Sequence, residues 1–366
     1  MAFNEEFVAE PAGDVVLSIR DLHVKFRLRG QALHAIRGVS LEVRRRETLA
    51  IVGESGAGKS ALVKNLCGLL DPNGWIDGGS IMYEGMDLAA FKSERDWSRV
   101  RGKHIAMVTQ DPMASLNPLK TVGWQIEEAL KYNQRLRGAD ARRRALELLA
   151  DVGIPDTRRR SRQYPHEFSG GMRQRVVIAI ALACSPRILI CDEPTTALDV
   201  TIQAQILRLI NDLKGKYGLT LVYITHDLGV VANVADRVAV MYAGDIVELG
   251  LCEEVFFDPR HPYTWALLSS LPQLGVRKQE LRAIQGTPPN LFQPIRGDAF
   301  APRNPWALEI DFQHRPPYGE VSPTHKARTW LLDPRAPAVE PPPAARSIRA
   351  LFERGAFAEY PQGGKR

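Results

Sequence analysis

The stretch TLAIVGESGAGKSALVKNLCGLL, residues 48–70, decides the fold of this chain. Residues 48–52 form an apolar run that predicts a buried strand, and residues 60–70 follow with the pattern of a helix. Between them, residues 53–60 match G-x-x-x-x-G-K-[ST] in the strand-to-helix context that this pattern requires. Glycines at these positions let backbone amides approach an anion at the start of a helix. The stretch therefore predicts a phosphate-binding loop in an α/β protein, with a tight glycine turn as the alternative.

We call residues 53–60 the phosphate loop, and its residues have separate predicted roles. Lys59 would neutralise the β and γ phosphates of a nucleotide, and Ser60 would ligate Mg²⁺. The remaining nucleotide contacts would come from Gly53, Glu54, Ser55, Gly56, Ala57, Gly58 and Ala61.

Strand and helix patterns alternate along the rest of the chain. Apolar and polar residues alternate in two early segments, which predicts antiparallel strands, and prolines become frequent after about residue 255. The alternation of strands with helices further on predicts a parallel sheet covered by helices. Strands are predicted at residues 15–27, 35–43, 80–83, 105–109, 188–191, 219–225, 238–242 and 246–249, and helices at residues 124–152, after residue 171 and between the strands 188–191 and 219–225.

Two carboxylates follow the apolar strand at residues 188–191, namely Asp192 and Glu193. Acids at the carboxyl end of a parallel strand lie at the edge of the sheet where α/β proteins bind ligands. One carboxylate could hold Mg²⁺ and the next could polarise water. A strand followed by two acids is weak evidence by itself, and the phosphate loop makes it stronger.

A second segment shares the features that let the phosphate loop bind an anion. It consists of Ser169, Gly170 and Gly171, and we call it the SGG segment. A hydroxyl at the start of a helix, followed by two glycines, leaves a helix N-terminus open to an anion. An ordinary helix cap is the alternative. The SGG segment is thus a candidate for a second phosphate contact in one chain.

Taken in order, these motifs resemble those of the ATP-binding cassette ATPases over roughly residues 15–260. The resemblance implies that two cassettes close head to tail, with each ATP between the phosphate loop of one and the SGG segment of the other. The SGG segment would then contact the γ-phosphate held by a partner, and neither chain alone would complete a site.

The same resemblance implies roles for individual residues. Asp192 resembles the magnesium aspartate, Glu193 the general base, and His226 the histidine that clamps the γ-phosphate. Phe26 is the candidate for stacking on adenine, and it could equally be a core aromatic of its strand. Two further positions are Gln110, which resembles the glutamine that senses Mg²⁺ and the attacking water in a loop that touches the membrane partner, and Asp199, which resembles the loop that signals between the two sites.

The implied fold class is α/β: a RecA-like parallel sheet, an N-terminal antiparallel β subdomain, a helical subdomain at about residues 111–185, and a small C-terminal extension. The predicted divisions are an N-terminal tail (1–14), the ATPase domain (15–258), the extension (259–335) and a proline-rich tail (336–366). We use the name C-terminal extension for residues 259–335 throughout.

Residues 163–168, 172–175 and 195–205 are similar to the D-type ATPases of oligopeptide and dipeptide permeases, as are 261–264 and 286–289. This resemblance implies four partners: a sister F-type ATPase, two membrane permeases and an extracytoplasmic binding protein. It also implies ATP and Mg²⁺ as cofactors and a peripheral position at the cytoplasmic face of the cell membrane.

One departure from that family lies in the C-terminal extension. Many relatives carry cysteines there that can hold an iron-sulfur cluster, and the corresponding residues here are Asp298, Asn304, Asp311 and Thr329. Because none of these can replace a thiolate, we predict no cluster. The extension would instead hold together by packing around four aromatic residues: Phe300, Trp306, Phe312 and Trp330.

Composition narrows the class of protein less than the motifs do. Of 366 residues, 45% are hydrophobic and 25% are charged, which is ordinary for a globular protein, and residues 1–14 do not resemble a signal peptide. The net charge of +6 fits nucleic acid, an anionic membrane or an acidic ligand equally well. The alternative is an importer of the same type whose cargo is oligosaccharides or nickel. A soluble cassette ATPase acting on nucleic acid and a small-molecule kinase are less favoured, so nucleic acid is not an expected partner.

Overall fold

The fold is described by a computed structural model, which covers residues 14–195, 198–270, 284–346 and 348. Outside these residues lie the predicted N-terminal tail up to residue 13, Thr196 and Ala197, residues 271–283 of the predicted C-terminal extension, and residues 347 and 349–366 of the proline-rich tail. The described strands are β1 (Val15–Leu28), β2 (Gln31–Arg44), β3 (Thr48–Val52), β4 (Gly74–Tyr83), β5 (Met86–Asp87), β6 (Ile105–Val108), β7 (Ile188–Asp192), β8 (Thr220–Thr225), β9 (Arg237–Tyr242), β10 (Asp245–Leu251), β11 (Gly319–Glu320) and β12 (Lys326–Ala327).

Helices connect and cover these strands. The described helices are α1 (Lys59–Cys67), α2 (Glu94–Trp97), α3 (Pro112–Ser115), α4 (Val122–Asn133), α5 (Gly138–Asp151), α6 (Thr157–Arg160), α7 (Gly170–Leu182), α8 (Val200–Tyr217), α9 (Leu228–Val234), α10 (Cys252–Phe257), α11 (Pro262–Ser269) and α12 (Pro343–Arg346). Within the described ranges, no helix combines the length and the apolar character needed to cross a membrane.

The larger sheet has the strand order β11-β12-β10-β9-β3-β8-β7-β6. The run from β9 through β3, β8 and β7 to β6 is parallel, and β9 pairs with β10 in an antiparallel hairpin. Every residue of β3, β7 and β8 is buried, as expected for parallel strands covered on both faces. Because the carboxyl ends of parallel strands share one edge, the segments after β3, β6, β7 and β8 meet there.

A smaller antiparallel sheet, in the order β2-β1-β4-β5, lies beside the large one. Its apolar face shares a core with α1 and β3, and a second core lies between α4, α5, α7 and α8 and the far strands of the large sheet. A third core joins β9 and β10 to α10, α11 and the C-terminal extension. This α/β architecture confirms the predicted fold class.

The predicted strand at residues 80–83 is shorter than the observed β4, which begins at Gly74. Two consecutive glycines, Gly78 and Gly79, interrupt the alternation of apolar and polar residues on which the prediction depended. The register with β1 shifts at the same place, between the pairs of Arg20 and His23. Hydrogen bonding to β1 therefore extends β4 back to Gly74, through residues whose sequence has no strand pattern.

The aromatic core predicted for the C-terminal extension is correct for Phe300 and wrong for Phe312. Phe300 is buried, with its ring centroid 5.3 Å from those of Tyr242 and Tyr263. Phe312 is 56% exposed. It ends the 3₁₀ turn Glu309–Phe312, where consecutive residues point about 120° apart and Asp311 takes the inward position.

The other two aromatic residues of the extension pack at its edges. Trp306 contacts the ring of Trp265 edge-on, with centroids 5.2 Å apart. Trp330 is half-buried, and its indole N–H donates to the carbonyl oxygen of His314 at 2.9 Å. The extension is therefore held by the core around Phe300 and by the separate contacts of Trp306 and Trp330.

The four positions compared with cysteines all cap turns. A side-chain oxygen of each accepts a hydrogen bond from a nearby backbone N–H: Asp298 from Phe300, Asn304 from Trp306, Asp311 from Leu308 and Thr329 from Leu331, at 2.7–3.2 Å. Such side chains supply acceptors to turns that lack regular secondary structure.

Candidate functional site

The phosphate loop connects β3 to α1 at the carboxyl edge of the large sheet. Two of its glycines are required by close approach: a Cβ on Gly53 would lie 2.1 Å from the carbonyl oxygen of Met241, and one on Gly58 would lie 2.8 Å from that of Ala35. Ser55 and Gly56 are exposed at the tip. The phosphate loop thus packs closely against neighbouring backbone at Gly53 and Gly58, while its tip is open to solvent.

Lys59 is buried at the start of α1, and its ammonium group lies inside the loop. Its Nζ donates to the carbonyl oxygens of Gly53, at 2.8 Å, and Glu54, at 2.9 Å. Burial lowers the pKa of Lys59, while the carboxylates of Glu193, Asp192 and Glu54 raise it. The net effect is a lowered pKa, because the neighbouring carboxylates offset only part of the cost of burying the ammonium group.

Ser60 and Asp192, predicted as magnesium ligands, lie in direct contact. The Ser60 hydroxyl donates to Oδ1 of Asp192 at 3.0 Å, although the two residues come from α1 and β7. Burial raises the pKa of Asp192, the hydrogen bond from Ser60 lowers it, and the charge of Glu193 raises it. A cation would relieve this cost of burying the carboxylate.

The donor set at this contact fits Mg²⁺. Magnesium prefers oxygen ligands and is commonly bound by one or two protein groups together with water and substrate phosphates. Within the described ranges, no group of three or more histidine, cysteine, aspartate or glutamate side chains is arranged to hold a metal ion. Ser60 with Asp192 would hold Mg²⁺ only jointly with a nucleotide.

Next to Asp192, at the carboxyl edge of the large sheet, three predicted site residues from separate segments come together: Gln110, Glu193 and His226. Nε2 of Gln110 donates to Oε2 of Glu193 at 3.4 Å, and Nδ1 of His226 lies 3.4 Å from Oε1 of the same carboxylate. Glu193 itself has a φ of +46°, in the left-handed region. Strained backbone of this kind is concentrated at functional sites.

The SGG segment forms the start of α7. The Ser169 hydroxyl accepts from the backbone N–H of Met172 at 3.4 Å, as an ordinary helix cap does. Ser169 and Gly170 are exposed, whereas Gly171 is buried against Ile202 of α8. This exposed helix N-terminus has the form predicted for a contact with a partner's phosphate, and that role stays a prediction.

Asp199 caps the next helix. Its Oδ1 accepts from the backbone N–H of Ile202 at 2.9 Å, and its side chain is exposed at the start of α8. From the same helix, Gln203 donates to Asp227, the residue after His226, at 3.4 Å. Asp199 thus caps a helix that contacts Asp227, next to His226, and its signalling role stays a prediction.

Phe26 lies in β1, where it pairs with Leu33 and with Gly74. Its ring packs against the core beneath the smaller sheet, with Cε1 2.7 Å from the place of a Cβ on Gly74. Gly74 is the first residue of β4, the next strand after α1. Packing accounts for this aromatic, and its adenine contact stays a prediction.

Two residues that the sequence did not connect to the site contact Glu54 of the phosphate loop. Tyr263 accepts the Glu54 backbone N–H at 2.8 Å, and Arg303 pairs with its carboxylate at 2.8 and 3.0 Å. They lie 209 and 249 residues from Glu54. Tyr263 belongs to the family pattern at residues 261–264, but nothing in that pattern or around Arg303 indicates a contact with the phosphate loop.

Comparison with known proteins gives two family matches. Residues 36–196 match the family described as ABC transporter, and residues 247–310 match the family described as oligopeptide/dipeptide transporter, C-terminal region. The second match covers the part of the extension that carries Tyr263 and Arg303.

Curated relatives match the chain over nearly its whole length. It is 57% identical over 346 residues to the oligopeptide transport ATP-binding protein AmiE of Streptococcus pneumoniae serotype 4, covering 94% of this chain and 98% of that protein. It is 55% identical to the oligopeptide transport ATP-binding protein OppD of Bacillus subtilis, over 93% of this chain and 96% of OppD. With the dipeptide transport ATP-binding protein DppD of Lactococcus lactis the identity is 54%, over 90% and 95%.

Solved structures match the cassette part of the fold. The dimeric, post-hydrolysis structure of the ATP-binding cassette MJ0796 bound to ADP and Pi has a TM-score of 0.58 and 27% identity, covering 64% of this chain and 98% of that one. The structure of cbiO1 from Clostridium perfringens, part of the ABC transporter complex cbiONQ, has a TM-score of 0.58 and 28% identity, over 67% and 92%.

Proposed function

The chain belongs to the ABC transporter family, among its oligopeptide and dipeptide transport ATP-binding proteins, and on that premise we propose that it is the ATP-hydrolysing subunit of a peptide importer. The observation that carries this proposal is a match at 57% identity that runs through the cassette and the C-terminal extension together. The names of these relatives favour peptides over oligosaccharides, nickel or nucleic acid as the cargo class.

The residues at the sheet edge divide the work of hydrolysis. Phosphoryl transfer needs positioning and charge stabilisation more than covalent chemistry. Lys59 and the amides of the phosphate loop bind the phosphates, and Ser60 with Asp192 would hold Mg²⁺. Magnesium, when bound, would neutralise charge on the β and γ phosphate oxygens.

Glu193, Gln110 and His226 together activate and position the attacking water. The Glu193 carboxylate accepts the proton of the water as general base. Gln110 and His226, each 3.4 Å from a different carboxylate oxygen, orient the carboxylate and the γ-phosphate. Closure on ATP and opening after hydrolysis supply the conformational work of transport.

A second cassette completes each site in this proposal. The SGG segment contacts the γ-phosphate of the ATP that is bound to a sister F-type ATPase. The corresponding segment of that sister ATPase contacts the ATP bound to this chain. The exposure of Ser169 and Gly170 at a helix N-terminus supports this assignment. Asp199 communicates between the two sites, and Phe26 remains the candidate for the adenine contact.

Two membrane permeases, served by an extracytoplasmic binding protein, are the further proposed partners. Several large apolar side chains are exposed in the segments that follow Gln110, which supports a docking surface for permeases there: Met113, Leu119, Trp124 and Tyr132. The chain would accordingly lie at the cytoplasmic face of the membrane as a peripheral subunit. We retain the divisions 1–14, 15–258, 259–335 and 336–366, with a helical subdomain at about 111–185.

Vesicles that contain the chain with its ATPase partner, both permeases and the binding protein test the proposal. Peptide should stimulate ATP hydrolysis, and labelled peptide should accumulate only with ATP. Glu193→Gln should lower the hydrolysis rate by about 10²–10⁴-fold while MgATP binding persists. Glu147→Gln, the same change at an exposed ion pair on α5, is the matched control and should leave the rate unchanged.

Two results would count against different parts of the proposal. Hydrolysis at the wild-type rate in Glu193→Gln would remove Glu193 from its role as general base. A complex that hydrolyses ATP without response to peptide and without uptake would contradict the importer.

A further inference from the structure

Glu54 is the point at which the C-terminal extension touches the phosphate loop. Its two carboxylate oxygens accept from the two terminal nitrogens of Arg303, Oε2 from Nη1 at 2.8 Å and Oε1 from Nη2 at 3.0 Å. The Arg303 side chain is 5% exposed and that of Glu54 25%. A paired, largely buried arginine–carboxylate fork is a strong and directional contact.

Every N–H of the Arg303 guanidinium has an acceptor. Besides Glu54, Nη1 donates to the hydroxyl of Tyr242 at 3.1 Å and Nη2 to the carbonyl oxygen of Ile284 at 3.3 Å, and Nε donates to that of Gln285 at 2.9 Å. The plane of the guanidinium is therefore fixed by the extension and β9 before it meets the loop. A lysine has no planar fork and could not reproduce this set.

A second contact from the extension fixes the backbone of the same residue. The Glu54 N–H donates to the hydroxyl of Tyr263 at 2.8 Å. Tyr263 is fully buried, and its ring lies 4.5 Å from that of Tyr242 and 5.3 Å from that of Phe300. Glu54 is thus held through both its side chain and its backbone.

The carbonyl oxygen of this residue faces Lys59. Lys59 Nζ donates to the Glu54 carbonyl at 2.9 Å as well as to that of Gly53. We propose that Arg303 is a positioning residue for ATP binding: by fixing Glu54 it sets the shape of the phosphate loop and the place of the Lys59 ammonium. The C-terminal extension then contributes to nucleotide affinity without touching the nucleotide. The inference rests on the proposed ATPase function.

Arg315 distinguishes positioning from simple anchoring of the extension. Its Nε and Nη2 both donate to Oδ2 of Asp245, at 2.9 and 2.6 Å, and Nη2 also donates to the carbonyl oxygen of Arg37 at 3.0 Å. This arginine also joins the extension to the cassette through a carboxylate, but at β10 rather than at the phosphate loop. Arg315→Gln is therefore a matched control for Arg303→Gln.

Calorimetric titration of the full chain with MgATP tests the inference, with the ATP dependence of hydrolysis measured in the assembled complex. Arg303→Gln and Glu54→Gln should each weaken MgATP binding about tenfold, and the double variant should be no weaker than either. KM for ATP should rise while kcat stays near the wild-type value. Arg303→Lys should recover only part of the affinity, and Arg315→Gln should bind as the wild type does.

The outcomes separate the inference from the function on which it rests. Wild-type affinity in Arg303→Gln, or an equal loss in Arg315→Gln, would overturn the positioning role. Absence of MgATP binding by the wild-type chain would instead contradict the proposed ATPase function. Should Arg303→Gln fail to fold, Glu54→Gln decides alone: wild-type affinity in that variant overturns the inference.

Discussion

Replacing Gly171 with alanine perturbs the contact between α7 and α8, whereas the same change at Gly170 leaves that contact intact. A Cβ on Gly171 would lie 2.6 Å from Cγ2 of Ile202. A Cβ on Gly170 would meet only Cδ2 of Leu198 at 3.5 Å, an ordinary van der Waals distance. The two glycines therefore differ in the space around them: Gly171 packs closely against Ile202, whereas Gly170 has room for a methyl group.

The expected energies follow from these distances. Relief of the Gly171 clash needs a shift of about 1 Å, and overpacking of this kind costs about 1–3 kcal/mol. Neither glycine has a positive φ, so alanine at either position also reduces the freedom of the unfolded chain and stabilises the protein by about 0.4–1 kcal/mol. Gly171→Ala should thus lower the free energy of unfolding by about 1 kcal/mol, and Gly170→Ala should raise it by a similar amount. The contrast between them is about 2 kcal/mol.

Chemical denaturation of the full chain measures this contrast, and a second substitution identifies its cause. In an Ile202→Ala background, which lacks the clashing methyl group, Gly171→Ala should cost much less stability than it does in the wild type, whereas in an Ile202→Val background, which keeps a γ-methyl, its cost should persist. Equal stabilities of the two glycine variants, or no relief by Ile202→Ala, would refute the packing argument. In the assembled complex, Gly170→Ala should be stable and yet impair hydrolysis at the partner's site.

Two further predictions concern buried charges. Glu47→Ala leaves Arg237 unpaired in a buried site where Nη1 lies 3.1 and 3.2 Å from the two carboxylate oxygens, so it should cost about 3–5 kcal/mol in denaturation; a cost below about 1 kcal/mol would contradict this. Burial raises the pKa of Asp298 to about 7, so its stabilising contribution is full below pH 4 and is lost as the pH rises through 7. Asp298→Asn should flatten the dependence of Tm on pH between about 4 and 7, whereas parallel profiles would argue against it.

The parts of the site that follow from local spacing could be predicted from the sequence. The sequence predicts strand β3 to the residue, because its short apolar run lies between the charged residues 44–47 and Gly53 of the phosphate loop. The contact of Ser60 with Asp192, 132 residues apart, follows from parallel strands that end at one edge. The meeting of Gln110 and His226 at Glu193 required the family resemblance, since neither residue carries a local pattern of its own.

The parts that could not be predicted depend on contacts between distant segments. The aromatic character of Phe312 predicts a core position, but its 3₁₀ turn directs Asp311 inward instead. Arg303 lies in a proline-rich region without periodicity, so its pairing with Glu54 could be found only from the folded chain. Hydrophobic patterning identifies elements, whereas the packing of irregular segments is decided by side-chain geometry in three dimensions.

The pairing of β12 with β10 has a consequence for where this protein can be divided. At that side of the sheet the last long strand, β10, is capped by two strands of two residues each, and Arg328 adds a hydrogen bond from its N–H to the carbonyl oxygen of Val247. A polypeptide ending near residue 258 would leave most of this margin of β10 without hydrogen-bond partners. Bare strand margins of this kind promote self-association. We therefore expect a polypeptide that ends with the cassette to self-associate more readily than the full chain.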